Sequence, residues 1–154
     1  MKKLFAKIWR GLSLSRGIQL SIMRLFQDQF LVGITGIIFN EKNEILLFKH
    51  TYRKVPWSLP GGYMKSKEHP FEALEREIKE ESGLVVSADE ELKIRTDRRT
   101  PRLDVTVIGA YIGGEFKESH EVSEFGFFSF ENLPLISKNQ LLEIEYALKN
   151  RSNL

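Results

Sequence analysis

Two spacings of apolar residues alternate along this chain, one near the helical repeat and one near the strand repeat. Leu4, Ile8 and Leu12, then Ile18, Ile22, Leu25 and Phe26, recur at helical spacing. They predict two short helical pieces, or one bent helix, ending before Phe30. Gly11 and Gly17 weaken the middle, each by about 1 kcal/mol against Ala. Phe30 to Phe39 is rich in Val, Ile and Phe and predicts a strand. Asn40-Glu41-Lys42-Asn43 predicts a turn, and Ile45 to His50 the returning strand. Thr51 to Pro60 reads as a loop, and Gly61-Gly62 as a break in the chain. A helix is predicted from Pro70 to Ser82, with His69 as a modest cap at its start. Pro70 suits the first helical turn and Gly83 the position just past the end. Leu92 to Thr96 and Leu103 to Ile112 predict strands joined by the basic loop Asp97-Arg98-Arg99-Thr100-Pro101-Arg102. Phe125 to Phe130 reads as a short aromatic strand, and Gln140 to Lys149 as a closing helix.

Strands mixed with helices in one compact chain point to an α/β or α+β sandwich. The 154 residues suit one domain, and the absence of Cys excludes disulfides and thiolate-held zinc. A chain without Cys is compatible with the cytoplasm. The net charge of +2 divides unevenly. Residues 1–27 hold Lys2, Lys3, Lys7, Arg10, Arg16 and Arg24 with no acid, while residues 28–154 carry a net of −4. The chain therefore reads as a basic amphipathic helical segment, 1–27, ahead of a domain over 28–154. No apolar run approaches the roughly 18–20 residues that cross a bilayer. The segment's apolar face suits packing on the core or on a second subunit, as in a homodimer. Its charge equally suits a peripheral seat on an anionic membrane, with Phe5 and Trp9 at the interface. Nucleic acid is a weaker reading of the same charge.

The chemistry concentrates in the helix after the double glycine. At about 100° per residue, Phe71, Leu74 and Ile78 fall on one stripe that should pack on a sheet. Glu77, Glu80 and Glu81 fall beside it. Three carboxylates so close repel one another, and a bound cation turns that repulsion into attraction. Oxygen-only ligands favour Mg²⁺, Mn²⁺ or Ca²⁺ over zinc or copper. Arg76 lies within reach of Glu72, Glu77 and Glu80 and can hold a carboxylate in place. A solvated, charge-rich helix is the plainer reading of the acids alone.

The flanking residues change that balance. Gly62, five residues, Glu68, seven residues and Arg76-Glu77-Ile78-Lys79-Glu80-Glu81-Ser82-Gly83-Leu84 resemble the Nudix box at every fixed position. Trp57-Ser58-Leu59-Pro60-Gly61 looks like the usual lead-in, and the order of elements over Phe30 to Lys149 is similar to the family fold. The resemblance implies an α/β/α sandwich around a mixed sheet. It implies a metal-dependent hydrolase, with Mg²⁺ or Mn²⁺, that cuts the pyrophosphate of a nucleoside diphosphate linked to another group, such as a nucleotide sugar. It implies metal ligands at Glu77, Glu80 and Glu81, joined by the carbonyl of Gly61, with Arg76 orienting Glu77 and Glu68 supporting the loop. Family members often add an acid from a later loop, and Glu121 is the first choice here, Glu124 the second. Glu77 and Glu121 are alternative general bases. Arg98, Arg99 and Arg102 are candidate substrate contacts, as is Arg53 with Lys54 beside it. Tyr52 and Phe127 are candidates for stacking on a base, although strand aromatics usually belong to a core. Two alternatives stay open: an RNA-end pyrophosphohydrolase, and a non-catalytic nucleotide-binding module of the same shape.

Overall fold

The structure is a computed structural model that describes residues 15–97 and 100–151. The helical reading of Leu4 to Leu12 and the candidates Arg98 and Arg99 lie outside the described residues. The chain divides into two units, 1–30 and 31–154. In the first, helix α1 spans Arg16–Phe26 and ends where the Gln27 N–H donates to the Met23 carbonyl. Among the described residues no helix is long and apolar enough to cross a membrane.

The second unit is built on a seven-stranded mixed sheet. Its strands are β1 (Leu31–Phe39), β2 (Ile45–His50), β3 (Trp57–Ser58), β4 (Gly61–Tyr63), β5 (Leu84–Asp97), β6 (Arg102–Gly114) and β7 (Val122–Phe128). The main order is β3-β2-β1-β6-β5, with β4 added to β1 and β7 to β2. Among the described residues only β1 and β6 run parallel, in register from Leu31 opposite Arg102 to Phe39 opposite Ala110. Helix α2 (Pro70–Ser82) lies between β4 and β5 in the chain, and α3 (Lys138–Arg151) closes it.

The two-residue period of β1 sends its side chains to opposite faces. Ile34 and Ile38 join Ala73, Leu74 and Ile78 of α2 in one core cluster, with Leu46 and Phe48 from β2. Ile37 and Phe39 join Ile144 and Ala147 of α3 in the other, with Ile45 and Leu47. The expected α/β/α sandwich is therefore present, one helix layer on each face. Helix α2 occupies the predicted residues. His69 Nδ1 accepts from the Phe71 N–H, Glu72 accepts from the His69 N–H at 2.9 Å, and Gly83 closes the helix at φ 75°.

Four element readings change. Gly61-Gly62 is a strand rather than a break. Its antiparallel pairing with β1 sets Thr35 opposite Gly61 and Ile34 opposite Gly62, a partnership across the sequence that local pattern does not reveal. The expected strand Leu92 to Thr96 extends back to Leu84, and register shifts near Val85, Ala88 and Glu91 break the alternation that would have marked it. The aromatic strand runs from Val122 to Phe128, and Phe130 begins a 3₁₀ turn. The loop Thr51 to Pro60 contains the short strand β3, where Trp57 pairs with Lys49.

Glu143 of α3 is 9% exposed, 3.9 Å from Arg95. Burial pushes its carboxyl above the usual range, against the pull of Arg95 and Lys93. A carboxyl raised in the folded state contributes stability that is present below its unfolded pKa and lost as pH rises through the folded value. Glu143→Gln is therefore expected to melt higher than the wild type at neutral pH. The difference should shrink as pH falls toward 4.5, the ordinary Glu value, in a series of thermal melts.

Candidate active site

Arg76 organises the acids of α2. Its Nε and Nη2 donate to the two oxygens of Glu68 at 2.9 and 2.8 Å, a two-pronged grip across the loop before the helix. Nη1 donates to Glu77 Oε1 at 2.7 Å and to Glu80 Oε2 at 3.1 Å, and Nη2 reaches the Tyr63 carbonyl at 3.1 Å. The guanidinium thus ties the end of β4, the loop and one face of α2 together. Glu68 also accepts from the Lys65 N–H, and the Arg76 bond followed by that amide lowers its carboxyl to about 2. Glu80, more exposed, faces the Lys65 ammonium at 3.4 Å as well. Its carboxyl is held below the ordinary value, since these bonds outweigh an opposing desolvation.

The double glycine lets the strand press against these groups. A Cβ on Gly62 would lie 2.4 Å from Glu77 Cδ, and one on Gly61 would lie 2.1 Å from the Ile34 carbonyl oxygen. Neither position admits a side chain without moving backbone or the Glu77 carboxylate.

Glu81 differs from its neighbours. Its Oε2 is buried and has no hydrogen-bond partner. Burial, then the charges of Glu121 and Glu77, raise its carboxyl from 4.5 to about 7, partly offset by Arg53. Glu121, just before β7, is therefore brought to the helix acids from a distant part of the chain. Glu124 is not: it pairs with Lys49 at 2.7 Å on the exposed face. Among the described residues no three acids or histidines already form a closed cage for a metal, and Glu77 and Glu80 each turn an oxygen onto Arg76. An unpartnered, strained carboxylate beside several others nevertheless has the chemistry of a cation site, since a positive charge would relieve both burial and repulsion.

The other acids of this stretch do structural work. Glu72 caps α2, and Glu75 accepts from the Ala88 N–H at 2.9 Å, pinning the helix to β5. They lie in the same short acidic stretch as the site acids, but at about 100° per residue Glu75 falls on the opposite side of the apolar stripe from Glu77, Glu80 and Glu81. Lys65 and the Arg76–Glu68 grip were not legible in the sequence, because the loop must fold back before the groups meet.

Arg53 donates to Ser58 Oγ at 3.0 Å and lines a cavity together with Arg102. Tyr52 is exposed and rests against the Arg53 guanidinium, 5.6 Å from ring centre to carbon. Phe127 packs edge-on against Tyr111 and Phe125 and belongs to the core. Trp57 packs edge-on against Phe128.

This fold and this arrangement of acids on a Gly-flanked helix define a class, and the chain belongs to it: it is a member of the Nudix hydrolase family, whose NUDIX domain model matches residues 29–147. It is similar to an ADP-ribose pyrophosphatase of Methanocaldococcus jannaschii, 37% identical over 112 residues. That match covers 69% of this chain and 66% of the relative, so the chain spans just under two thirds of that protein. The crystal structure of an ADP-ribose pyrophosphatase from Streptococcus suis 89-1591 matches with a TM-score of 0.66 and 28% identity, covering 79% of this chain and 93% of that one. A crystal structure of a UDP-X diphosphatase matches with a TM-score of 0.72 over 98% of this chain and 78% of that one. At 19% identity this last likeness is one of fold.

Proposed function

We propose that this chain is a divalent-metal-dependent pyrophosphohydrolase of a nucleoside diphosphate joined to another group, a nucleotide sugar being the preferred class. The observation that carries the reading is Glu81: a buried carboxylate oxygen without a partner, beside the charges of Glu77 and Glu121, inside a complete Nudix box. Glu77, Glu80, Glu81 and the Gly61 carbonyl would hold the metal, with Glu121 joining them. Mg²⁺ is the expected ion, with Mn²⁺ as its substitute. Such an ion, when bound, stabilises charge on phosphate oxygens and makes a water more acidic.

The chain's own groups account for the rest. Water adds to one phosphorus, the bridging P–O bond breaks, and two phosphomonoesters leave. Glu121 is the better placed of the two bases. Glu77 is tied by the 2.7 Å bond from Arg76, whereas Glu121 comes to Glu81 from the loop before β7. Arg76 keeps Glu77 and Glu80 oriented. Arg53, whose charge reaches Glu81, is positioned to meet phosphate, and Arg102 lies further along the same cavity. Residues 1–27 lie outside the matched motif; their charge and apolar spacing suit packing on the core, a second subunit or an anionic membrane surface. The cytoplasm suits a nucleotide substrate and a chain without Cys.

The test is a Mg²⁺-supplemented screen of nucleoside triphosphates, nucleotide sugars, dinucleotides and capped RNA ends, with the products identified. Release of a nucleoside monophosphate and a sugar phosphate is expected. No turnover anywhere in the panel would make the chain a binding module instead.

A further inference from the structure

Strand β4 has two sides. Gly62 faces Glu77 and the acids of α2. On the α3 side lies a cavity of about 210 Å³, lined by Gly33, Arg53, Gly61, Arg102, Asp104 and Gln140 among others. Arg53, Gly61 and Gly62 belong to both regions. Arg53 lines the cavity while its charge reaches Glu81, and Gly61 lines it from the strand that borders the acids. A molecule whose diphosphate lay at the acids would extend its next group into this space.

The lining specifies what that group is. Pockets for whole drug-sized ligands run to roughly 300–1,000 Å³, so this one takes a single ring. Ile34 and Leu59 line it but are only 2% and 3% exposed, and Tyr63, 50% exposed, is the one aromatic ring in the lining, so an apolar surface is offered on one side alone. The cavity is dominated by polar ends. Asp104, 15% exposed at its side chain, is fixed by Arg102 and Arg95. Arg102 Nε lies 2.7 Å from Asp104 Oδ1, and Nη2 donates to Oδ2 at 3.2 Å. That pairing spends much of the Arg102 charge on Asp104. Gln140 reaches in from α3, and its buried Oε1 has no hydrogen-bond partner. A carboxylate and an unpaired amide oxygen repel a second phosphate and attract donors. A hydroxyl donates to them and still accepts from an arginine.

Resting on the hydrolase reading above, we propose that this cavity is a sugar subsite in which Asp104 and Gln140 read ring hydroxyls, and that these two residues set the preference for sugar-bearing diphosphates. The sugar is either the one beyond the diphosphate or the ribose of the nucleoside. The chemistry is the same, and the substrate arms below tell them apart.

The experiment compares kcat/KM for ADP-ribose, for ADP capped by a propyl group, and for 2′-deoxyADP-ribose, in the wild type, Gln140→Leu and Asp104→Asn. Melting curves accompany each variant, and Gln140→Leu carries the test wherever Asp104→Asn loosens the sheet. The wild type is expected to favour ADP-ribose over one of the two poorer compounds by about 10–100-fold, the range for a lost charge-assisted or buried hydrogen bond. The propyl compound is the poor one if the distal sugar fills the cavity, the deoxy compound if the nucleoside ribose does. Both variants should bring that ratio close to one. A wild type that treats all three alike, or variants that keep the wild-type ratio, would overturn the proposal. Equilibrium binding of the same compounds to Glu81→Gln separates the two readings. Discrimination in binding without wild-type turnover leaves the subsite standing and ends the hydrolase reading, whereas turnover without discrimination does the reverse.

Discussion

Glu81→Gln should cut kcat by about 10²–10³-fold, the loss typical of removing one group that stabilises transition-state charge, while the chain stays folded. The two consequences come from one atom. Glu81 Oε2 is buried without a partner, and its carboxyl is raised to about 7 by burial and by Glu121 and Glu77. The uncharged amide keeps the size of the side chain and removes the repulsion. The metal-free variant is therefore expected to melt at or above the wild-type temperature. Added Mg²⁺ should raise the melting temperature of the wild type, because a ligand that binds only the folded state stabilises it, and should raise that of the variant much less. Steady-state product release and thermal melts with and without Mg²⁺ check both halves. Near-normal turnover with unchanged Mg²⁺ dependence would remove Glu81 from the site.

Arg76→Lys is the second large effect, expected to lower kcat/KM by about 10–100-fold, the range for groups that orient metal ligands. Charge is preserved in this variant, so any loss reports geometry. Arg76 makes two parallel bonds to Glu68, one each to Glu77 and Glu80, and one to the Tyr63 carbonyl. A single ammonium cannot span those partners. Glu68 and Glu77 would lose a fixed orientation, and the loop before α2 would lose its anchor. The apparent Mg²⁺ affinity, measured from the concentration dependence of turnover, should fall with it. A lysine variant that matched the wild type in both would show that charge alone suffices.

How much of this was readable in the chain depends on how local each feature is. Helix α2 was readable to its ends because Pro70, His69 and Gly83 are punctuation that acts within a turn. The acids Glu77, Glu80 and Glu81 were readable for the same reason, since helical spacing fixes their face. Strand β4 was not, because glycines look like breaks until Ile34 and Thr35, far upstream in the chain, arrive to pair with them. Strand β5 was seen only in its second half, since its bulges interrupt the alternation. The sugar cavity was invisible: Gly33, Asp104 and Gln140 lie on β1, β6 and α3, and only the closed sheet brings them to one space. Glu75, in the same acidic stretch but turned to the other side of the helix, holds the Ala88 amide, a pairing that only the folded β5 supplies.

The parallel pairing of β1 with β6 has a kinetic consequence. Leu31 meets Arg102 only after the intervening chain has closed on itself, whereas β5 and β6 meet as neighbours in sequence. Loop closure of that length is unfavourable before its contacts form, and such non-local pairings slow folding. The β5–β6 ribbon with α2 against it is the natural early unit, and β1 arrives later with β4 at its side. Refolding of a Trp9→Phe variant followed by the fluorescence of Trp57, on β3 and just ahead of β4 in the chain, should then show the lead-in to the box settling in a slower phase than the far-ultraviolet signal of the ribbon and helix. The chain would acquire its secondary structure first and its capacity for catalysis last.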